Sequence, residues 1–271
     1  MAKKKSRSKA ARQAQAQVAA RQPAGSETNI VRIAIGVIAC LALGAWLWSR
    51  GGNSPQGDAG GRRARATAHD ETPQVPPTLG PIDPRLLDPS ALHDQAPETF
   101  AVLLDTTVGD ITIDVHRSWS PNGADRFYNL VRAGYYTDIA FFRVLEGFMA
   151  QCGIHGRAQV NAAWRNATIP DDPVVQHNTR GFVTFATGGP GTRTTQFFIN
   201  YGDNSRLDAT GFSPFGQVRD MTAVDALEGR YGEGAPSGLG PEQGRLQSEG
   251  NAYLRADFPE LDYIESARIV E

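Results

Sequence analysis

Arg143 and Gln151 stand in the run FFRVLEGFMAQCG (Phe141 to Gly153), among Phe142, Phe148 and Met149. A guanidinium is always charged and offers several N–H donors in one rigid plane, so it can act on a lone pair without giving up a proton. Read from residue types alone, Arg143 is a surface strand residue and its apolar neighbours are core. Other chemistries lack the residues to carry them. Two Cys and five His provide no C-x-x-C and no H-E-x-x-H, so no metal or other cofactor is expected. Cys40 and Cys152 are too differently placed to pair, and Cys152 has no identifiable histidine partner, which makes it a small buried residue. Gly188-Gly189-Pro190-Gly191 looks like a phosphate loop, but no Lys-Ser/Thr follows, so it is a turn. Asn166-Ala167-Thr168 matches a glycosylation triplet, a pattern too short to carry weight.

The elements that must hold these residues read as mainly β. Phe100 to Thr106 and Ile111 to Val115 are strands joined by a turn at Val108-Gly109-Asp110, and ITIDV alternates as a half-buried strand does. Ser120-Pro121 opens a helix with Ser as N-cap. Ala124, Phe127, Tyr128 and Val131 form its apolar face, and Gly134 closes it. Further strands are expected at Ala140 to Val144, Phe148 to Cys152, Gly181 to Ala186, Gln196 to Tyr201, Phe215 to Val218 and Ala267 to Val270, with a second short helix over Met221 to Glu228. Short strands, Gly-rich turns and two helices predict a closed antiparallel barrel capped at its ends.

Three blocks then carry a resemblance. FFRVLEGFMAQCG resembles the cyclophilin signature F-H-R-[IV]-x-x-x-F-M-x-Q-G-G. FATGGPGTRTTQFFIN (Phe185 to Asn200) is similar to the second signature, around A-N-A-G-x-x-x-N-x-S-Q-F-F-I, and SRLDATGFSPFGQV (Ser205 to Val218) to W-L-D-x-x-H-x-x-F-G-x-V. The blocks keep the family's order and spacing, with one extra residue in the last. The resemblance covers roughly residues 98–271. It implies an eight-stranded closed barrel with two capping helices, a peptide groove on its outer face, and peptidyl-prolyl cis-trans isomerase activity on proline-containing peptides and unfolded proteins.

That reaction breaks no covalent bond. The barrier is about 18–20 kcal/mol because the nitrogen lone pair is delocalised into the carbonyl. Twisting returns the lone pair to the proline nitrogen, so a fixed donor beside it binds the twisted form better than either planar one. The resemblance assigns this role to Arg143 and makes Gln151 the partner of the substrate carbonyl. It lines the proline slot with Phe148, Met149, Phe198, Leu207 and Phe212, adds Gln196 to the groove, and offers the backbone of Ala186, Thr187 and Gly188 to an extended peptide. This sequence departs from the pattern at four positions. Phe142 replaces the signature histidine, tolerable where no proton moves. Arg206 replaces the tryptophan that governs cyclosporin binding, which puts drug sensitivity in doubt. Phe212 stands at or beside a pocket histidine, and Thr187 stands where Asn is usual. The family's arginine, Phe-Met pair and glutamine all remain. The departures keep a second reading open, a binding module without useful catalysis. The loop Tyr231 to Leu246 (YGEGAPSGLGPEQGRL) looks like an extension of some bacterial members, and reads either as a lid or specificity loop or as an ordinary solvent loop.

Ahead of the domain at 98–271 the composition changes three times. Residues 1–29 are basic and lack core-forming side chains, which predicts disorder. IVRIAIGVIACLALGAWLW (30–48) predicts a single transmembrane helix, with Arg32 snorkelling and Trp46 and Trp48 at the far interface. Residues 49–97 are a Gly/Pro-rich linker. Residues 1–32 hold eight basic side chains against one acid, while the remainder holds nineteen against twenty-eight. By the positive-inside rule the N-terminus is cytoplasmic and the catalytic domain extracytoplasmic. A monomer tethered to a lipid bilayer is expected. The basic head is read as an anchor flank, with no nucleic-acid partner.

Overall fold

A computed structural model of the chain describes residues 80–270. The spanning segment expected at 30–48, the basic head and most of the linker lie outside the described residues. Among the described residues no helix is long and apolar enough to cross a membrane.

Nine strands form one antiparallel sheet among the described residues: β1 (Thr99–Thr106), β2 (Ile111–His116), β3 (Ile139–Ala140), β4 (Arg143–Leu145), β5 (Met149–Cys152), β6 (Phe182–Phe185), β7 (Phe197–Asn200), β8 (Pro214–Val218) and β9 (Tyr263–Val270). Their order is β3-β9-β1-β2-β8-β6-β7-β5-β4. The expected closed eight-stranded barrel is therefore a nine-stranded half-barrel. The single strand expected over Ala140–Val144 is two strands, because the chain changes ladder at Phe142. Phe141 still donates its N–H to Asp262 O (2.9 Å) beside β9, whereas Arg143 pairs with Gln151 on β5. The two ends of the sheet are thus joined by the chain itself.

The expected two helices become five among the described residues: α1 (Pro121–Arg132), α2 (Ala158–Trp164), α3 (Thr222–Asp225), α4 (Gln243–Glu249) and α5 (Asn251–Asp257). The helix α1 ends as anticipated, with Gly134 at φ +72° just past it. Its start differs. Ser120 makes no capping bond. Its hydroxyl instead donates to Asp172 Oδ2 (2.6 Å), and the Asp172 carboxylate accepts the N–H groups of Asn122 (3.1 Å) and Gly123 (3.0 Å). The cap comes from a residue fifty positions away, which no local pattern reveals. The loop expected to run to Leu246 gives way to α4 at Gln243. The Glu242 carboxylate accepts the Gly244 and Arg245 N–H groups there, both at 2.7 Å. The last strand begins at Tyr263, four residues earlier than expected.

Alternation sorts the side chains of the sheet. Val144, Ala150, Cys152, Val183, Phe185, Phe197 and Ile199 enter the main core with Phe127 and Phe215. Leu86 joins the same core and its carbonyl accepts the Trp164 indole N–H (2.9 Å). Asp125 accepts the Ala96 N–H (2.9 Å), so residues 80–97, which composition places in the linker, pack onto the body. A second core gathers Ala140, Phe142, Ile154, Leu246, Tyr253, Leu254, Leu261 and Tyr263 beneath α4 and α5.

Candidate active site

The site lies on the other face of the same strands. Cross-strand pairing sets Arg143 opposite Gln151, Gln151 opposite Phe198 and Phe198 opposite Thr184, one row of side chains pointing away from the main core. Met149 lies two residues from Gln151, on the same face and opposite Asn200. Neither Met149 nor Phe198 belongs to the main core, yet they are only 2% and 4% exposed. They line an apolar floor, which separates them from barrel-core residues of the same type.

A chain of hydrogen bonds crosses this floor. Arg143 Nη1 donates to Gln151 Oε1 (3.0 Å), and Gln151 Nε2 donates to Gln196 Oε1 (2.9 Å). The second Gln151 Nε2–H has no partner among the described residues. The Phe148 ring lies near two guanidinium groups, with Arg143 at 5.9 Å and Arg206 at 4.9 Å from its centroid. Arg206, at the position of the signature tryptophan, lays its guanidinium over this ring, and its Nη1 donates to Asn204 Oδ1 (3.0 Å).

The far lip is formed by the 3₁₀ turn Ser205–Thr210 and the residues after it. Phe212 packs edge-on against Phe198 at 5.7 Å, and its N–H reaches back to Leu207 O at 3.4 Å. Buried Asn178 fixes this lip by donating to Phe212 O (2.8 Å) and Asp208 Oδ1 (2.7 Å), while Asn204 Nδ2 donates to Phe148 O (2.8 Å). At the other end, Ala186 N–H is spent on Gln196 O (2.9 Å) and Gly188 N–H on Thr192 Oγ1 (2.9 Å). Of the three backbones expected to greet a peptide, Thr187 is the one whose N–H and carbonyl both lack partners among the described residues.

The remaining departure is also placed. Phe142 is not in the groove: it is 1% exposed within the second core, against Leu246 and Leu254. Cys152 faces the main core, and burial pushes its thiol well above the usual range, as expected of a packing residue. Among the described residues there is no cluster that could hold a metal ion.

One neighbour of Arg143 escaped the sequence reading. Glu233, in the Gly/Pro-rich loop, accepts from Arg143 Nε through Oε1 and from Nη2 through Oε2, each at 2.6 Å. Arg143 is 13% exposed and Glu233 28%. The loop's glycines signalled a turn, but nothing local connects Glu233 to a strand ninety residues earlier.

Comparison with known proteins gives the family of the chain. Residues 101–236 match the family described as cyclophilin type peptidyl-prolyl cis-trans isomerase/CLD. Human peptidyl-prolyl cis-trans isomerase-like 3 is 37% identical over 134 residues, 48% of this chain and 82% of that protein. Peptidyl-prolyl cis-trans isomerase-like 1 of Rhizopus delemar is 33% identical over 126 residues, 45% of this chain and 76% of its own length. A crystal structure of a cyclophilin type isomerase from Cryptosporidium parvum, 21% identical, superposes with a TM-score of 0.48 over 64% of this chain and 98% of its own. The chain belongs to the cyclophilin-type peptidyl-prolyl cis-trans isomerases, a family of enzymes.

Proposed function

We propose that the chain catalyses rotation about X-Pro bonds of peptides and unfolded proteins at the groove between Arg143 and Phe212. The observation that carries the reading is the polar row Arg143–Gln151–Gln196 running along an apolar floor of Met149 and Phe198. The proline ring enters the slot formed by Phe148, Met149, Phe198, Leu207 and Phe212. The free Gln151 N–H takes the carbonyl before proline, and Thr187 pairs with the extended backbone. An Arg143 N–H meets the nitrogen lone pair as the bond leaves planarity. This donor is preorganised, so it favours the twisted form without rearranging at that moment. The burial of Phe142 away from the groove removes one motive for a binding-only reading.

The extended apolar run at 30–48 and its basic flank support a tethered enzyme, N-terminus cytoplasmic and isomerase domain extracytoplasmic, assisting the folding of exported or membrane proteins. Two measurements test these readings. In a protease-coupled assay on X-Pro peptides, the Arg143→Ala variant should lose about 10²–10³ in kcat/KM with an unchanged circular dichroism spectrum. Wild-type turnover in that variant would remove Arg143 from the mechanism. Membrane fractionation with protease accessibility checks the tether, which is refuted by a chain that washes into the soluble fraction.

A further inference from the structure

We propose that Glu233 is the positioning residue of the site, the group that aims the Arg143 guanidinium. The inference rests on the isomerase reading of the groove and deepens it. An arginine side chain left alone samples many rotamers, and a donor serves a twisted bond only if it is already oriented. Glu233 removes that freedom by gripping one edge of the fork in bidentate fashion, through Nε and Nη2. Gln151 takes one Nη1–H. Of the five N–H groups, three are thereby committed and two remain, one on each Nη, in a plane fixed from two sides.

The loop is constructed around this carboxylate. Glu233 Oε1 also accepts the Gly234 N–H (2.9 Å), and the Glu233 carbonyl accepts the Gly240 N–H (2.8 Å). A Cβ at Gly238 would run into that same carbonyl, so the turn closes on Glu233 only with glycine there. The stem of the loop is held by the second core, where Tyr231 meets Phe258 edge-on at 5.1 Å and Phe258 meets Tyr253 at 5.5 Å. The C-terminal extension that covers Phe142 therefore also delivers a carboxylate to the adjacent Arg143. A paired guanidinium is a directional donor whose charge is balanced within the protein, suited to a neutral imide nitrogen.

The test is a double-mutant cycle in the full chain, with kcat and KM for a proline-containing tetrapeptide measured separately. Glu233→Gln preserves shape and removes the charged grip. It should lower kcat about ten- to a hundredfold and move KM less than about twofold, while Glu233→Asp retains more activity than Glu233→Gln. The pair Arg143→Ala/Glu233→Gln should be no slower than Arg143→Ala, because Glu233 acts only through Arg143. A Glu233→Gln enzyme as fast as or faster than wild type overturns the proposal, the latter by making Glu233 a brake. A double variant clearly slower than Arg143→Ala overturns it too, by making Glu233 a loop residue. If Arg143→Ala itself turns over normally, the groove reading fails along with it; if only Glu233→Gln is silent, that reading stands.

Discussion

At the scale of single residues, type and motif position picked out side chains that the fold brings into one row, but not their supports. Arg143, Gln151 and Phe198 are read from the signature, and the structure sets them in one row because their strands pair in register. Asp172 and Glu233 were invisible, since each acts across tens of residues on a partner that only the fold brings near. Asp172 offers a sharp test. Burial opposes its charge, but hydrogen bonds from the Ser120 hydroxyl, the N–H groups of Asn122 and Gly123, and Arg193 outweigh it and hold its carboxyl below the usual range. With the Arg193 side chain 1% exposed and Asp172 2%, the pair is buried, and removing the Asp172 charge leaves Arg193 facing only the more distant Asp171 carboxylate at 3.5 Å. Asp172→Asn should cost about 3 kcal/mol at neutral pH, read from urea midpoints. A native carboxyl with a depressed pKa stabilises fully above the unfolded value of about 3.9 and loses that contribution as pH falls through the native one. The gap between wild type and variant should therefore narrow below about pH 4; a constant gap would assign the loss to shape rather than charge.

At the scale of elements, periodicity found the long strands and α1 because each has a clear apolar face. It missed the switch of ladder at Phe142, since Phe-Phe inside a strand-like run shows no break, and it missed α4 and α5 behind their Gly/Pro-rich approach. The extension these helices form shares its core with Phe142, which is 1% exposed in one cluster with Leu246, Leu254 and Tyr263. Truncating such a ring leaves a cavity, so Phe142→Ala should cost about 3–5 kcal/mol. Because the loop stem shares this cluster, the variant should also be cut sooner by protease between residues 231 and 262. Mass spectrometry of the fragments would show this, and cleavage elsewhere first would mean that the extension holds without its anchor.

At the scale of the whole molecule, the folded body begins earlier than composition indicates. A run rich in Pro and Gly reads as linker, yet Leu86, 5% exposed, enters the main core and receives the Trp164 indole. A fragment of residues 80–271 should melt about 2–4 °C above one of residues 98–271 for each kcal/mol that the segment contributes, the shift expected of a domain of this size; equal melting temperatures would make the Leu86 contact dispensable. The half-barrel also has a consequence for engineering. Phe142 faces the second core while its neighbour Arg143 faces Gln151 and Glu233, so one dipeptide welds two otherwise separable modules. Transplanting 229–262 onto a relative that carries the usual histidine would bring the appendage to a polar seat, and exchanging that single position for phenylalanine should decide whether the graft beds down.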